Sequence, residues 1–192
     1  MRYRLLNSAE SKQHPISEEQ LLTGRGIRLV RFKLPSRYGQ LAYYLAAGEW
    51  KKADQKTAQI MLQVAGREEE DYLRLEDIEK FPCADLGTID QLWVKYSEGR
   101  FGFSVQKRIW QEVGGKVDYS TECKLGDRVG WRKGGNWLNY QKIINFTHEA
   151  PVGILPCWYR YVTRLGRVLT IRPGSSLGIN ISLVQRAVTC SI

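Results

Sequence analysis

The sequence has no hydrophobic run long enough to cross a membrane, because its apolar stretches fall far short of the roughly 20 residues that a spanning helix needs. No apolar segment follows the first arginines, so the N-terminus does not have the pattern of a secretory signal peptide. These two absences exclude an integral membrane protein from the expected classes. We expect a cytoplasmic protein that associates with a membrane at most peripherally.

The common catalytic and nucleotide-binding motifs are also missing. The sequence contains no GxSxG nucleophile elbow, no P-loop and no GxGxxG dinucleotide-binding turn. The two histidines, His14 and His148, lie too far apart in sequence to indicate a shared site, and no pair of carboxylates stands out for acid–base catalysis. We therefore expect a protein that is not an enzyme and has no metal site.

The cysteines are few and widely spaced. Cys83, Cys123, Cys157 and Cys190 lie more than thirty residues from one another, so no pair has the spacing of a zinc site or a redox motif. Scattered thiols are typical of a reducing compartment. The expectation is four reduced cysteines that fill the protein interior.

Basic and aromatic residues are plentiful. The formal net charge is +9, of which +7 falls in residues 116–192, and the chain has 6 tryptophans and 10 tyrosines. Two ligand classes suit aromatic rings among basic side chains. Single-stranded nucleic acid stacks on such rings, and a tetrapyrrole stacks on apolar walls while its carboxylates pair with arginine. Packing in the core remains the simplest interpretation of any single tryptophan.

Apolar residues at helical spacing predict a mostly α-helical protein. One helix is expected in GQLAYYLAAG (39–48), a second from Trp50 to a stop at Gly66, and a short helical turn in 73–82. Two further helices are expected after the predicted N-caps Asp85 and Ser104. The run REEED (67–71) is interpreted as an exposed charged surface.

The two ends of the chain have weaker patterns. Ser17 and Gln20 predict a short helix ending at Gly24, and RGIRLVRFKLP, which follows, is typical of a strand or an extended edge. We therefore expect a compact, single, multi-helix domain with a short N-terminal arm and an irregular C-terminal tail. The predicted boundaries are 1–39 for the basic arm, 40–165 for the domain, and 166–192 for a tail that packs on or extends it.

The run DIEKFPCADLGTIDQLWVKYSEGRFGFSVQKRIW, residues 77–110, resembles the core signature of Genomes Uncoupled Four domains, which are tetrapyrrole-binding activators of magnesium chelatase. The similarity continues in DRVGWRKGGNW (127–137) and APVGILP (150–156), and it starts near LAAGEWKKADQKT (45–57). It covers about residues 40–158. The resemblance implies an all-helical domain with a cupped apolar cleft that binds protoporphyrin IX or Mg-protoporphyrin IX.

The resemblance also implies which residues touch the ligand. Two walls of side chains would hold the macrocycle, and arginines after APVGILP would meet its propionates. The first wall is Leu75, Ile78 and Lys80, the second is Trp137 and Tyr140, and the arginines are Arg160, Arg164 and Arg167. No side chain stands out as an axial ligand, so no metal-binding residue and no obligatory cofactor is expected.

The resemblance further implies a role in chlorophyll biosynthesis, with the large porphyrin-binding subunit of magnesium chelatase as partner. The protein would then be a monomer in the cytoplasm of a cyanobacterium or in a chloroplast. A tetrapyrrole-sensing signalling or regulatory module, unrelated to the chelatase, is the alternative. Nucleic-acid binding would use the basic region 116–192 but would leave the similarity of 77–110 unexplained, so no nucleic-acid partner is expected.

Overall fold

The computed structural model describes residues 4–5, 18–22, 28–32, 34–138, 140–143, 150–157 and 179–192. Contacts within the chain divide it into two compact units, Met1–Gln40 and Leu41–Ile192.

The first unit contains a three-stranded antiparallel sheet. Its strands are β1 (Arg4–Leu5), β2 (Glu18–Leu22) and β3 (Arg28–Phe32), with β3 in the centre. The predicted strand in RGIRLVRFKLP is confirmed, whereas the helix predicted from Ser17 to Gly24 is wrong. That helix rested on a capping pair alone, and the ladder that pairs every residue of β2 with β3 supplies the backbone hydrogen bonds instead.

The rest of the described chain is mostly helical, which confirms the predicted fold class. The helices are α1 (Ser36–Ala46), α2 (Trp50–Ala65), α3 (Leu75–Glu79), α4 (Cys83–Tyr96), α5 (Phe103–Glu112), α6 (Tyr119–Val129), α7 (Tyr140–Ile143) and α8 (Ile179–Thr189). A two-stranded hairpin, β4 (Arg132–Lys133) and β5 (Asn136–Trp137), lies between α6 and α7 in the sequence. Among the described residues, no helix combines the length and the apolar character that crossing a membrane requires.

An aromatic cluster forms the centre of the second unit. The rings of Trp50 and Trp93 stack with centroids 6.3 Å apart, and Phe101 meets both rings edge-on. Trp93 is fully buried, and its Nε1 donates a hydrogen bond of 2.9 Å to Oγ1 of Thr57 on α2. This bond gives the only polar atom of the indole ring a hydrogen-bond partner, so burial of the ring leaves no unpaired donor. The same bond joins α4 to α2.

The helix ends confirm one prediction and correct two. Gly66 ends α2 in the left-handed conformation, as predicted. Asp85 and Ser104 are not N-caps, because α4 begins at Cys83 and α5 at Phe103. A side chain of another helix instead accepts a backbone N–H in the first turn of α5. Oδ1 of Asp90, on α4, accepts the Ser104 N–H at 2.8 Å. Burial raises the pKa of the Asp90 carboxyl, while the hydrogen bond from Ser104 opposes the rise.

The prediction of an irregular tail is wrong for residues 179–189, which form the regular helix α8, while residues 166–178 of that tail lie outside the described residues. Helix α8 packs against α5 and α3, and Leu183, Val184 and Ala187 are fully buried. These three positions follow helical spacing and supply one apolar face. Arg186 on the same helix donates from Nε to the Phe81 carbonyl oxygen at 2.8 Å.

Two of the four cysteines are not free thiols. Cys83 and Cys190 form a disulfide across a sequence separation of 107 residues, so the expectation of four reduced, buried cysteines is wrong for this pair. The pair meets only because α8 returns to the start of α4, and sequence spacing does not reveal such long-range contacts. Cys157 is a reduced, buried thiol, as expected, whereas the reduced thiol of Cys123 is partly exposed.

Candidate functional site

The first predicted wall lies on the short helix α3 and the residue that follows it. Leu75 is 38% exposed, Ile78 is fully buried, and Lys80 is exposed at the C-terminal end of the helix. The structure thus brings the three residues together on one short element. Leu75 and Lys80 can reach a ligand from solvent, whereas Ile78 anchors the helix in the protein interior.

A network of charged side chains fixes the start of α3. Asp77 accepts the backbone N–H of Arg74 at 2.9 Å, and it also accepts two guanidinium bonds, from Nε at 3.0 Å and from Nη2 at 2.9 Å. Arg67 Nε lies 3.4 Å from the same carboxylate. The hydrogen bonds from Arg74, followed by the charges of Arg74 and Arg67, lower the pKa of Asp77 to about 2.

Part of the run REEED belongs to this network. Arg67 pairs with Glu70 at 2.6 Å and lies over the ring of Tyr72, 5.4 Å from its centroid. Glu68 and Glu69 are exposed, which agrees with a solvated charged surface. The sequence signal for the network was Arg67 at i and Glu70 at i+3, a spacing at which side chains meet.

The second predicted wall follows α6. Trp137 lies on β5, is partly exposed, and contacts Gly126 so closely that a Cβ at position 126 would lie 2.5 Å from the ring atom Cζ3. Any larger residue at 126 would displace the ring, so Gly126 positions Trp137. Tyr140, the first residue of α7, is only 5% exposed.

Trp131, which precedes the hairpin, belongs to the core. Its side chain is fully buried, and Nε1 donates to the Ile154 carbonyl oxygen at 2.8 Å. Its backbone carbonyl accepts the N–H of Leu138 at 3.0 Å, which closes the hairpin beside Trp137. The hairpin that carries Trp137 is therefore attached to the fixed interior.

The segment APVGILP is held by the start of α5, and sequence reasoning missed this contact. The side-chain amide of Gln106, fully buried, donates to the carbonyl oxygens of Gly153 and Pro156, both at 3.0 Å. Gly102 N–H donates to the Leu155 carbonyl at 3.0 Å, and Gly153 N–H donates to the Arg100 carbonyl at 2.8 Å. A polar residue on the apolar face of an amphipathic helix was the available signal.

Other features bear on the site as follows. Arg160, Arg164 and Arg167 lie outside the described residues. In the part of the chain that is described, no group of three or more His, Cys, Asp or Glu side chains could hold a metal ion.

An open depression of about 330 Å³ lies beside α2, lined by Lys56, Gln59, Leu62, Gln63, Glu68 and Asp71. Its lining is mostly polar and includes none of the predicted site residues that the structure describes.

Comparison with known proteins identifies relatives of this chain. The chain is 35% identical over 121 residues to a Ycf53-like protein of Synechocystis. The aligned region covers 62% of this chain and 50% of that protein. It is 34% identical over 155 residues to a ycf53 protein of Pyropia yezoensis, with 80% of this chain and 62% of that protein covered. An Arabidopsis thaliana relative, named a chloroplastic tetrapyrrole-binding protein, is 33% identical over 112 residues, 57% of this chain and 39% of that protein. The chain thus spans about half the length of the curated relatives it matches.

The fold is shared with solved structures. The ligand-free structure of Arabidopsis thaliana GUN4 superposes with a TM-score of 0.57 at 23% identity, covering 83% of this chain and 95% of that one. The family model described as GUN4-like matches residues 33–169, which confirms the resemblance to Genomes Uncoupled Four domains. Because that match spans more than half of the sequence, the protein belongs to the GUN4-like family.

Proposed function

We propose that this protein binds a tetrapyrrole, protoporphyrin IX or Mg-protoporphyrin IX, without catalysing a reaction on it. The observation that carries the proposal is the family match over residues 33–169. It is supported by the name of the Arabidopsis relative, a tetrapyrrole-binding protein. The partly exposed side chains of Leu75 and Trp137 are the accessible members of the two proposed walls, whereas Ile78 and Tyr140 are buried.

The affinity follows from contact area and charge. Burial of about 300–400 Å² of apolar ligand surface contributes about 8–10 kcal/mol, and association costs at least about 4 kcal/mol. A charge-assisted hydrogen bond from Arg160, Arg164 or Arg167 to a propionate would add about 1.5–3 kcal/mol. The net value of about 5.5–9 kcal/mol corresponds to a dissociation constant of about 0.3–100 μM.

The biological role that we propose is activation of magnesium chelatase in chlorophyll biosynthesis, by a monomer that presents porphyrin to the large subunit of the enzyme. The proposed location is the cytoplasm of a cyanobacterium or the chloroplast, since the relatives come from Synechocystis and from the chloroplast of Arabidopsis. A tetrapyrrole-sensing module without a chelatase partner remains the competing role, and a capture experiment separates the two.

A pair of matched variants tests the site. Leu75 and Val117 are exposed apolar residues, at 38% and 40%, but only Leu75 lies on α3. Leu75→Ser should weaken deuteroporphyrin binding by about three- to tenfold, since it removes roughly 1 kcal/mol of apolar contact. Val117→Ser should leave the affinity within about twofold of the parent, since it lies outside the proposed walls. Binding is followed by quenching of tryptophan emission. Equal affinities in both variants would remove α3 from the site.

The chelatase role is tested by capture of the purified large chelatase subunit on the immobilised protein. Capture that increases with Mg-protoporphyrin IX supports a chelatase activator. Porphyrin binding without capture, with or without porphyrin, contradicts the chelatase role and favours the sensing module.

A further inference from the structure

The disulfide between Cys83 and Cys190 connects the last described helix to the centre of the second unit. Cys83 is the first residue of α4, and Cys190 directly follows α8. Helix α8 in turn packs against α3, which begins at Leu75 and is followed by Lys80. The bond therefore holds α8 beside the first proposed wall of the tetrapyrrole site.

The noncovalent contacts of α8 are with α5, α3 and α4. Its described buried side chains are Leu183, Val184 and Ala187, and Arg186 donates one hydrogen bond to the Phe81 carbonyl. Ile192 contributes a contact with Lys107, and its Cγ2 would lie 3.4 Å from a Cβ at Gly87. A helix of 11 residues that is held by packing and hydrogen bonds can open locally at a lower free-energy cost than unfolding of the whole protein. A covalent bond at its end suppresses that opening by closing a long loop.

We propose that the Cys83–Cys190 disulfide is a redox latch, which holds α8 on α3 when oxidised and lets α8 open when reduced. The second half of the proposal rests on the proposed function. Because α8 supports α3, reduction makes the first wall less ordered, and the protein then binds its tetrapyrrole more weakly. An ordered wall binds more tightly because less conformational freedom is lost on binding.

The chemistry of the latch is exchange with a dithiol. A dithiol thiolate attacks Sγ of Cys190, a bond forms between these two sulfurs, the Cys83–Cys190 bond breaks, and Cys83 leaves as a thiolate. The second thiol of the reductant then attacks the mixed disulfide and releases Cys190. Two electrons and two protons pass to the protein in all, and the dithiol becomes a disulfide. The reverse exchange, with an oxidised dithiol, closes the latch.

Two features of Cys83 suit this exchange. The residue is exposed and its partner Cys190 is partly exposed, so a reductant can approach the bond at Sγ of Cys190. It also occupies the first position of the 14-residue helix α4, and the N-terminal end of a helix stabilises a thiolate, although Asp85 in the same turn opposes this in part. Disulfides in reducing compartments are usually reversible and redox-sensing. In the proposed compartments the bond is therefore a switch and not a permanent crosslink.

Hydrogen exchange with mass spectrometry tests the latch directly. The full chain is compared in its oxidised form, after reduction with dithiothreitol, and as Cys190→Ser. The amides of α8 should exchange at least about tenfold faster in the two forms without the bond, while the amides of α6 should not change. Cys123→Ser removes a free thiol and should behave as the oxidised parent. Identical α8 exchange in the oxidised and reduced forms would overturn the latch.

Deuteroporphyrin titration of the same samples tests the coupling. The reduced protein and Cys190→Ser should bind at least about threefold more weakly than the oxidised parent, and by linkage the porphyrin should favour the oxidised form by the same factor. Dithiothreitol should not alter the affinity of Cys190→Ser. Equal affinities overturn the coupling even if α8 opens. If no form binds porphyrin, the proposed function and the coupling both fail, and the exchange experiment still decides whether the latch exists.

Discussion

Gln106 offers the sharpest test of how the structure holds the segment APVGILP. Its buried amide donates to the carbonyls of Gly153 and Pro156, both at 3.0 Å. Methionine has nearly the same length and volume as glutamine but no hydrogen-bond donor, so Gln106→Met removes both bonds and leaves the cavity filled. Each buried carbonyl that loses its donor costs about 1–3 kcal/mol. Since neighbouring groups relax in part, we expect a total loss of about 2–4 kcal/mol.

The assay is urea denaturation followed by circular dichroism, with the m-value fitted separately for each protein. Gln111→Met is the matched control, because Gln111 lies on the same helix and is exposed. It should change the stability by no more than about 0.5 kcal/mol. The reasoning is refuted if Gln106→Met costs no more than Gln111→Met at an unchanged m-value.

Four further substitutions, one of them a control, test other parts of the fold. Gly153→Ala should cost about 2–4 kcal/mol in thermal denaturation, because φ is +81° and the new Cβ would lie 2.7 Å from Ile109 Cδ1. Gly134→Ala, also at positive φ but with no atom of the described residues within 4 Å, should cost only about 1 kcal/mol, and equal losses would contradict the crowding argument. Trp93→Ala should cost about 3–5 kcal/mol, and a loss below about 1 kcal/mol would show that the aromatic cluster is not the core. Asp77→Asn should remove about 1 kcal/mol above pH 4 and progressively less as the pH falls towards 2, because the folded pKa of about 2 lies below the unfolded value near 4. A pH-independent effect in urea titrations between pH 2 and 6 would contradict that ion pair.

The helices of the second unit were largely predictable because their signals are local. Apolar spacing placed α2, and a glycine that adopts the left-handed conformation marks its end at Gly66. The two wrong N-cap predictions, at Asp85 and Ser104, show the limit of what local sequence signals can predict. Ser104 has the right chemistry for a cap, but Asp90 from α4 supplies the acceptor for its N–H. That contact exists only after α4 and α5 pack together.

Other features depend on contacts across long sequence separations. The β2–β3 ladder overrode the capping signal at Ser17, and the partner of Cys83 lies 107 residues away. In the candidate site, the family resemblance supplied Leu75 and Trp137, which are both accessible to a ligand. It did not reveal that Arg67 and Arg74 fix α3 through Asp77, because that network requires the folded loop.

The most direct test of the central claim is equilibrium dialysis of the purified, oxidised protein against Mg-protoporphyrin IX, with ligand measured by absorbance on both sides of the membrane. We expect saturation at one porphyrin per chain with a dissociation constant of about 0.3–100 μM. Albumin and a heat-unfolded sample serve as the positive and negative controls for porphyrin partitioning. Ligand uptake that rises linearly up to about 100 μM, or that equals uptake by the unfolded chain, would contradict tetrapyrrole binding by this protein.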